Sequence, residues 1–393
     1  MKLALIGIGQ AGGKIVDEFV EYERRTGMDI FSSPVAINTA ETDLMGLENV
    51  PTENRVLIGQ DRVKGHGVGA DNELGAEIAA NDIDEMQGTL DQLPVHEMDA
   101  FLIVAGLGGG TGSGGAPVLA EHLKHLHTEP VYGLGVLPAT DEGGIYTLNA
   151  ARSFQTFVRE ADNVLVFDND AGRSSGESLE SGYGAINREI VKRFGILFGA
   201  GETDGNERVA ESVVDSSEVI NTLAGGSVST VGYATETVET GDDGLLSRFA
   251  GGNGETDDGM EAANTTNRVT SLVRKATLGR LTLPCEIDGA ERSLLVLAGP
   301  PEHINRKGVE RGRKWLEEET GSMEVRGGDY PVPSSDSVAS VVLLSGVHQV
   351  PRVKELQRVA IEAQDNIDQL RAESENKLEA LVHEGAEELA PLY

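Results

Sequence analysis

The sequence predicts an α/β fold: a doubly wound parallel sheet in the first half, then a long central helix, then an α+β unit. Three observations predict it. Short apolar runs alternate with helical patterns through the first half, as parallel strands and their crossover helices do. A glycine run, Gly108-Gly109-Gly110-Thr111-Gly112-Ser113-Gly114, follows the apolar run Ala100–Ala105 and precedes a helical segment, Ala116–Leu126, with Pro117 at its start. Ile186, Ile190, Phe194 and Leu197 form one stripe over the segment Tyr183–Phe198.

In chain order, strands are expected at Leu3–Ile6, Val35–Asn38, Phe101–Ala105, Val131–Leu137 and Val164–Phe167. Glycine, polar or acidic residues follow each of them, which gathers ligand loops at the carboxyl ends of the strands. Thr235–Asn267, rich in Gly, Asp, Glu, Thr and Asn, reads as a long surface loop. A helix near Val269–Leu278, strands near Ser293–Leu297 and Val338–Leu344, and a helix around Arg306–Glu318 compose the α+β unit. The acidic segment Lys354–Leu389 carries Leu356, Val359, Ile367, Leu370, Leu378 and Leu381 at near-helical spacing and reads as a surface helix. The expected division is residues 1–182, a connecting helix at 183–200, a C-terminal domain at 201–352 that includes a loop at 208–220, and an acidic helix and tail at 353–393.

At 393 residues and 39% apolar content the chain can bury two ordinary cores. No apolar run approaches a membrane span, and Met1-Lys2-Leu3-Ala4-Leu5-Ile6 leads into glycines rather than a cleavage site, so a cytoplasmic protein is expected. Cys285, the single cysteine, excludes an internal disulfide and a Cys-based metal cluster. The net charge of −33 excludes nucleic-acid binding, which needs a basic face. A polyphosphate would therefore be held mainly by backbone donors. Acidic residues run through both halves and Lys is scarce, 10 against 22 Arg, a surface like that of a halophile's cytoplasmic protein. Such a surface repels itself until salt screens it.

Glycines let successive backbone N–H groups face one anion, and a helix start adds unpaired donors and partial positive charge. With Thr111 and Ser113 as hydroxyl donors, Gly108–Gly114 suits a di- or triphosphate; a mere linker would not sit between a strand and a helix. Gly7-Ile8-Gly9-Gln10-Ala11-Gly12 also follows a strand and opens a helix, and alone would suggest a dinucleotide site. Against that, Asn38-Thr39 stands where an acidic ribose ligand is expected, a second glycine loop is surplus, and Gly12-Gly13-Lys14 lacks the upstream glycine of a P-loop.

The run Gly108–Gly114 matches the signature of the tubulin/FtsZ superfamily, which the chain resembles densely over residues 1–225 and weakly afterwards. Gly9-Gln10-Ala11-Gly12-Gly13, with Lys14 behind it, resembles that family's first phosphate loop, and Val35-Ala36-Ile37-Asn38-Thr39 the second. Gly67-Val68-Gly69-Ala70-Asp71-Asn72-Glu73 resembles the third, which implies an approach to the γ-phosphate and Mg²⁺. Pro138-Ala139-Thr140-Asp141-Glu142-Gly143 resembles the fifth, which implies that Glu142 reaches the ribose.

Tyr183 and Asn187, four apart on one helix, face the same way, so a ring can stack while an amide bonds a base edge; the plainer reading is an ordinary helix start. The pattern Tyr183-Gly184-Ala185-Ile186-Asn187 is similar to tubulin's guanine contact, with Asn169 as a second amide, and so implies guanine rather than adenine.

Val213-Val214-Asp215-Ser216-Ser217-Glu218 reads locally as a capping box, with Asp215 as N-cap and Glu218 three residues on. The resemblance implies more: it makes this the seventh loop, whose acids Asp215 and Glu218 enter the neighbouring subunit's nucleotide pocket and position the attacking water. Val213 departs from the asparagine most relatives carry there. His122, His125 and His127 do not face one centre on a helix, and no residue is assigned as a metal ligand.

The resemblance thus implies a GTPase that binds GTP or GDP with Mg²⁺, polymerises head to tail with itself, and completes hydrolysis between adjacent subunits. The acidity, the Tyr183/Asn187 pair and the 213–218 loop look most like the haloarchaeal CetZ family, which implies control of cell shape. The alternatives are an FtsZ-like division GTPase, a non-hydrolysing GTP-binding assembly regulator and, from another class, an NAD-dependent dehydrogenase.

Overall fold

The computed structural model describes residues 1–172, 179–200, 214–238 and 254–363. Its strands are β1 (Leu3–Ile8), β2 (Phe31–Asn38), β3 (Arg55–Leu57), β4 (Ala100–Gly106), β5 (Val131–Leu137), β6 (Asn163–Asp168), β7 (Val228–Thr237), β8 (Arg292–Gly299), β9 (Glu324–Pro331) and β10 (Ser337–Ser345). They form one sheet in the order β3-β2-β1-β4-β5-β6-β7-β10-β8-β9. From β3 to β7 every neighbouring pair is parallel; β10 runs antiparallel to both β7 and β8, and β8 pairs parallel with β9. The predicted doubly wound sheet is present, and the C-terminal strands extend the same sheet rather than forming a separate one. The junction is narrow, only Val164↔Val228 and Leu165↔Ser229.

Strand alternation splits the core into two layers. In β1, Leu3 and Leu5 face the layer holding Ile15, Val16 and Phe19 of the helix Gly9–Thr26, and the stripe Ile186, Ile190, Phe194 and Leu197 of the helix Leu179–Gly199. Ala4, Ile6 and Ile8 face the other layer, with Leu119 and Leu123 of the helix Thr111–Leu126 and Phe157 of the helix Gly144–Glu160. Buried Arg193 ties the central helix to the C-terminal half, donating to the Arg280 carbonyl at 2.8 Å while pairing with Glu189 at 2.8 Å.

Three expectations need correction. The helix behind the glycine run begins at Thr111 rather than Ala116, so Pro117 lies inside it. Part of the expected loop Thr235–Asn267 is regular: β7 runs to Thr237, and a helix spans Gly254–Gly279. Its glycine-rich start hides it, but Val269, Leu272, Val273 and Ala276 downstream bury one face against the sheet and hold the helix. Strands β3, β7 and β9 were not expected from the sequence, β3 because three residues are too few to show a pattern. In β7 the reason is buried hydroxyls: Ser229 and Thr230 look solvent-facing, yet Ser229 bonds Ser345 and Thr230 bonds Thr282. In β9, glycines and a terminal proline on an edge strand give no alternation. Residues 351–363 are helical, as expected of the start of the acidic segment. Val213 with the rest of 208–213, residues 239–253 of the glycine-rich stretch, and residues 364–393 lie outside the described residues.

Candidate nucleotide-binding site

β1, β4, β5 and β6 end level with one another, as the pairs Ile8↔Ala105, Gly106↔Val136 and Leu137↔Asp168 show. The loops after them share one edge. Three long helices, Gly9–Thr26, Thr111–Leu126 and Gly144–Glu160, start at this edge with no side-chain cap and no acid in the first turn. Asn72–Asn81, Ser216–Leu223 and Arg306–Thr320, by contrast, are capped by Asp71, Asp215 and Asn305. Uncapped N–H groups and three positive dipole ends suit this edge to an anion, despite the acidic chain.

The glycine loops pass backbone on backbone. Gly9 has φ +74°, and a Cβ on it would lie 2.7 Å from the Gly112 nitrogen; a Cβ on Gly112 would lie 2.9 Å from the carbonyl oxygens of Ile8 and Gly106. A Cβ on Gly110 would lie 2.5 Å from the Gly69 carbonyl oxygen, and one on Gly114 would lie 2.3 Å from that of Asn72, so the third loop packs as closely. Gly109 differs: nothing lies within 4 Å of where its Cβ would be, so the space on that side of it is open.

The side chains around these loops mostly hold the loops. Thr111 and the buried Thr39 share a hydroxyl contact of 2.7 Å, and the Ser113 hydroxyl donates to the Gly109 carbonyl. The Asn38 carbonyl oxygen accepts from the N–H groups of Thr39 and Ala40 at 2.8 and 3.2 Å, and its amide donates to Asp43 at 3.2 Å. Gln10 donates to the same Asp43 at 3.1 Å. Gly12 and Gly13 are buried, Ala11 and Lys14 exposed, Ala70 and Asn72 half-buried, and Asp71 accepts from the Leu74 N–H at 2.9 Å.

Two residues that the sequence reading did not single out brace this half. Buried Asn149 donates from one amide nitrogen to the carbonyls of Ala70 and Gly108, at 2.7 and 3.0 Å, joining the third and fourth loops. One turn on, Ser153 donates to the carbonyl of Ser113 at 2.6 Å. The available signal was two polar residues at i and i+4 on the apolar face of the helix Gly144–Glu160.

On the other side of the edge, Glu142 accepts from the Ala139 N–H at 2.7 Å and from the Asn169 amide at 3.1 Å, so the fifth loop and the end of β6 meet. The carbonyl oxygen of buried Asn169 has no partner among the described residues. Exposed Tyr183 and half-buried Asn187 stand on the helix Leu179–Gly199. Burial pushes the neighbouring Asp168 carboxyl up from 3.8 to about 6, against the pull of Arg352.

Asp215 and Glu218 stand apart from all of these. The Asp215 carboxylate accepts from the Glu218 N–H at 3.0 Å and the Ser217 hydroxyl at 2.6 Å, as a cap does. The Ser217 bond holds Asp215 below the usual carboxylate range, whereas partial burial, then the charge of Asp215, raises Glu218. The helix they open ends at Leu223, whose carbonyl accepts from Asn163 at 2.8 Å, and β7 begins level with the start of β6. Asn163 is the first residue of β6, while Asn169 follows its last. The helix carrying the two acids therefore belongs to the amino-terminal edge, one strand length or about 20 Å from the glycine loops.

Among the described residues no three His, Cys, Asp or Glu side chains converge on a metal, and no helix is long and apolar enough to cross a membrane. His122 contacts Gln87, His125 the Glu121 carbonyl, and His127 the Phe101 ring.

Comparison with known proteins agrees with this layout. Residues 2–174 match the GTPase domain of the Tubulin/FtsZ family, and residues 176–362 match the C-terminal domain of tubulin-like CetZ. Tubulin-like protein CetZ1 of Haloferax volcanii is 72% identical over 374 residues, 94% of each chain. A GDP-bound monomer of CetZ1 from Haloferax volcanii superposes with a TM-score of 0.82 at 68% identity, covering 93% of this chain and 100% of that one. A GTPγS-bound protofilament of CetZ2 from the same organism does so with a TM-score of 0.82 at 46% identity, covering 94% and 100%. From its first strand to the end of its mixed sheet, the chain belongs to the CetZ family of tubulin-like proteins, within the tubulin/FtsZ superfamily.

Proposed function

We propose that this protein is a cytoskeletal GTPase that binds GTP or GDP at the carboxyl edge of its sheet, polymerises head to tail, and completes hydrolysis between adjacent subunits. One observation carries the reading: the glycine loops and the acids Asp215 and Glu218 occupy opposite edges of one sheet. Within one subunit they do not meet. Copies stacked along the strand direction bring the acids of one against the nucleotide of the next, and the relatives solved as a GDP-bound monomer and a GTPγS-bound protofilament support that arrangement.

In this reading, backbone N–H groups of Gly9–Gly13 and Gly108–Gly114 bind the phosphates, Lys14 adds positive charge, and Asn38 orders the second loop. Glu142 holds the ribose, Asn169 and Asn187 read the guanine edge, and Tyr183 stacks on the base. Asp71, whose backbone oxygen lies close to Gly110, carries one carboxylate and is flanked by Ala70 and Asn72; such a set would suit Mg²⁺, an ion bound through phosphates and one or two carboxylates rather than a protein cage. Bound there, Mg²⁺ would neutralise phosphate charge. Glu218 orients the attacking water, with Asp215 beside it. The CetZ resemblance further supports a cytoplasmic filament that controls cell shape.

The test is complementation. Glu218→Ala should bind GTP and form filaments without releasing phosphate, and a variant disrupted in Gly108–Gly114 should bind no GTP. Mixed, with co-sedimentation showing that the loop variant joins filaments, the pair should regain phosphate release. Hydrolysis by Glu218→Ala alone at the parental rate would leave Asp215-Ser216-Ser217-Glu218 as a capping box and nothing more.

A further inference from the structure

We propose that Arg352 is a positioning residue for the nucleoside half of the site, tying the helix at 351–363 to the two loops that carry Glu142 and Asn169. The inference rests on the reading of those two residues as ribose and base contacts.

Arg352 is buried, 214 residues along the chain from the carbonyl it serves. One guanidinium nitrogen, Nη2, donates to the Pro138 carbonyl at 2.8 Å and lies 3.8 Å from Asp170; Nε lies 3.7 Å from Asp168; Nη1 bonds Glu355 at 2.7 Å. Pro138 opens the loop of Glu142, and Asp168 and Asp170 flank Asn169. The loops are also joined directly: Ala139 and Asn169 both donate to Glu142, and the Thr140 N–H donates to Asp170 at 3.0 Å. Arg352 thus closes a ring of contacts that contains Glu142 and Asn169.

The planar fork suits this role. It reaches a carbonyl and three carboxylates in different directions, whereas a lysine has one nitrogen. Without the cation, Asp168 and Asp170 repel, and only the Asn169–Glu142 and Thr140–Asp170 bonds still join the two loops. Helix docking does not depend on Arg352 alone, because Leu356 one turn on is buried in the core. None of the Arg352 contacts involves Gly9–Gly13 or Gly108–Gly114. Its loss therefore acts on nucleoside recognition and spares the phosphates. By linkage, nucleotide binding and docking of the 351–363 helix strengthen each other.

The experiment uses the full chain and two probes, GDP and inorganic pyrophosphate, the second reporting the phosphate loops alone. Arg352→Met should weaken GDP about tenfold or more, as loss of a buried charged bond does, with pyrophosphate affinity unchanged. Arg352→Lys should recover part of the loss. Equal loss of both probes, or of neither, overturns the proposal. If Asn169→Ala weakens GDP and Arg352→Met does not, Arg352 alone is wrongly assigned; if neither does, the nucleoside reading of Glu142 and Asn169 falls with it. Should Arg352→Met fail to fold, the double variant Arg352→Met/Asp168→Asn removes the uncompensated buried carboxylate. GDP affinity must still fall there.

Discussion

The Ser153 hydroxyl donates to the Ser113 carbonyl at 2.6 Å, and it can do so because Pro117, four residues beyond Ser113, has no N–H to offer that carbonyl. A side chain from one helix thus completes the first turns of another at the glycine run. Ser153→Ala should destabilise the protein by about 1–2 kcal/mol in denaturant melts. In a Pro117→Ala background the same change should cost less, since the alanine supplies the missing N–H. Equal costs in the two backgrounds would show that the hydroxyl does not stand in for the helix bond.

Asn149 satisfies two carbonyls from different loops with one amide. Asn149→Ala should cost about 2 kcal/mol of stability and weaken GTP binding in titration calorimetry, because the third and fourth loops lose their shared anchor. Asn149→Asp should be worse, as it sets a carboxylate against two carbonyl oxygens. A stable Asn149→Asp variant with parental GTP affinity would refute the anchor.

The raised Asp168 carboxyl gives a pH dependence with a definite sign. Folded, the group holds its proton up to about 6; unfolded, it releases it near 3.8. Its contribution to stability is therefore fully present below 3.8 and lost as pH rises through about 6. Between pH 4 and 7 the parent should lose about 2 kcal/mol relative to Asp168→Asn. Urea unfolding of both proteins across that range checks it; a constant difference would contradict it.

Assembly should need molar salt. The charge of −33 repels subunits at any contact, and ion pairs such as Arg306–Glu310 and Arg62–Glu77 are exposed and contribute little. Near 1 M salt the screening length falls to about 3 Å, which removes the long-range barrier. Pelleting with GTP should be strong in 2 M KCl and weak in 0.1 M KCl. Equal pelleting would remove the basis for reading the surface as salt-adapted.

The sequence was most legible where local pattern decides the outcome. The β5 boundaries Val131–Leu137 agree with the strand observed, and the stripe Ile186–Leu197 is buried as its spacing requires. Asp215 caps its helix as the local motif predicts. Polar residues with distant partners were less legible. Ser229 and Thr230 conceal β7 because their hydroxyls are satisfied by residues more than fifty positions away. Pro117 suggested a helix start because nothing local shows that Ser153 would complete a turn ahead of it.

By itself, then, the sequence determined the parallel sheet, the glycine loops at its carboxyl edge and the central helix, since apolar periodicity and glycine placement act over a few residues. Only the tertiary structure decided that Asn149 and Ser153 brace those loops, that Arg352 reaches Pro138, and that Asp215 and Glu218 lie at the edge opposite the glycine run. Those relationships depend on which buried donor meets which orphaned acceptor once the layers pack, and a side chain's burial depends on elements far from it along the chain.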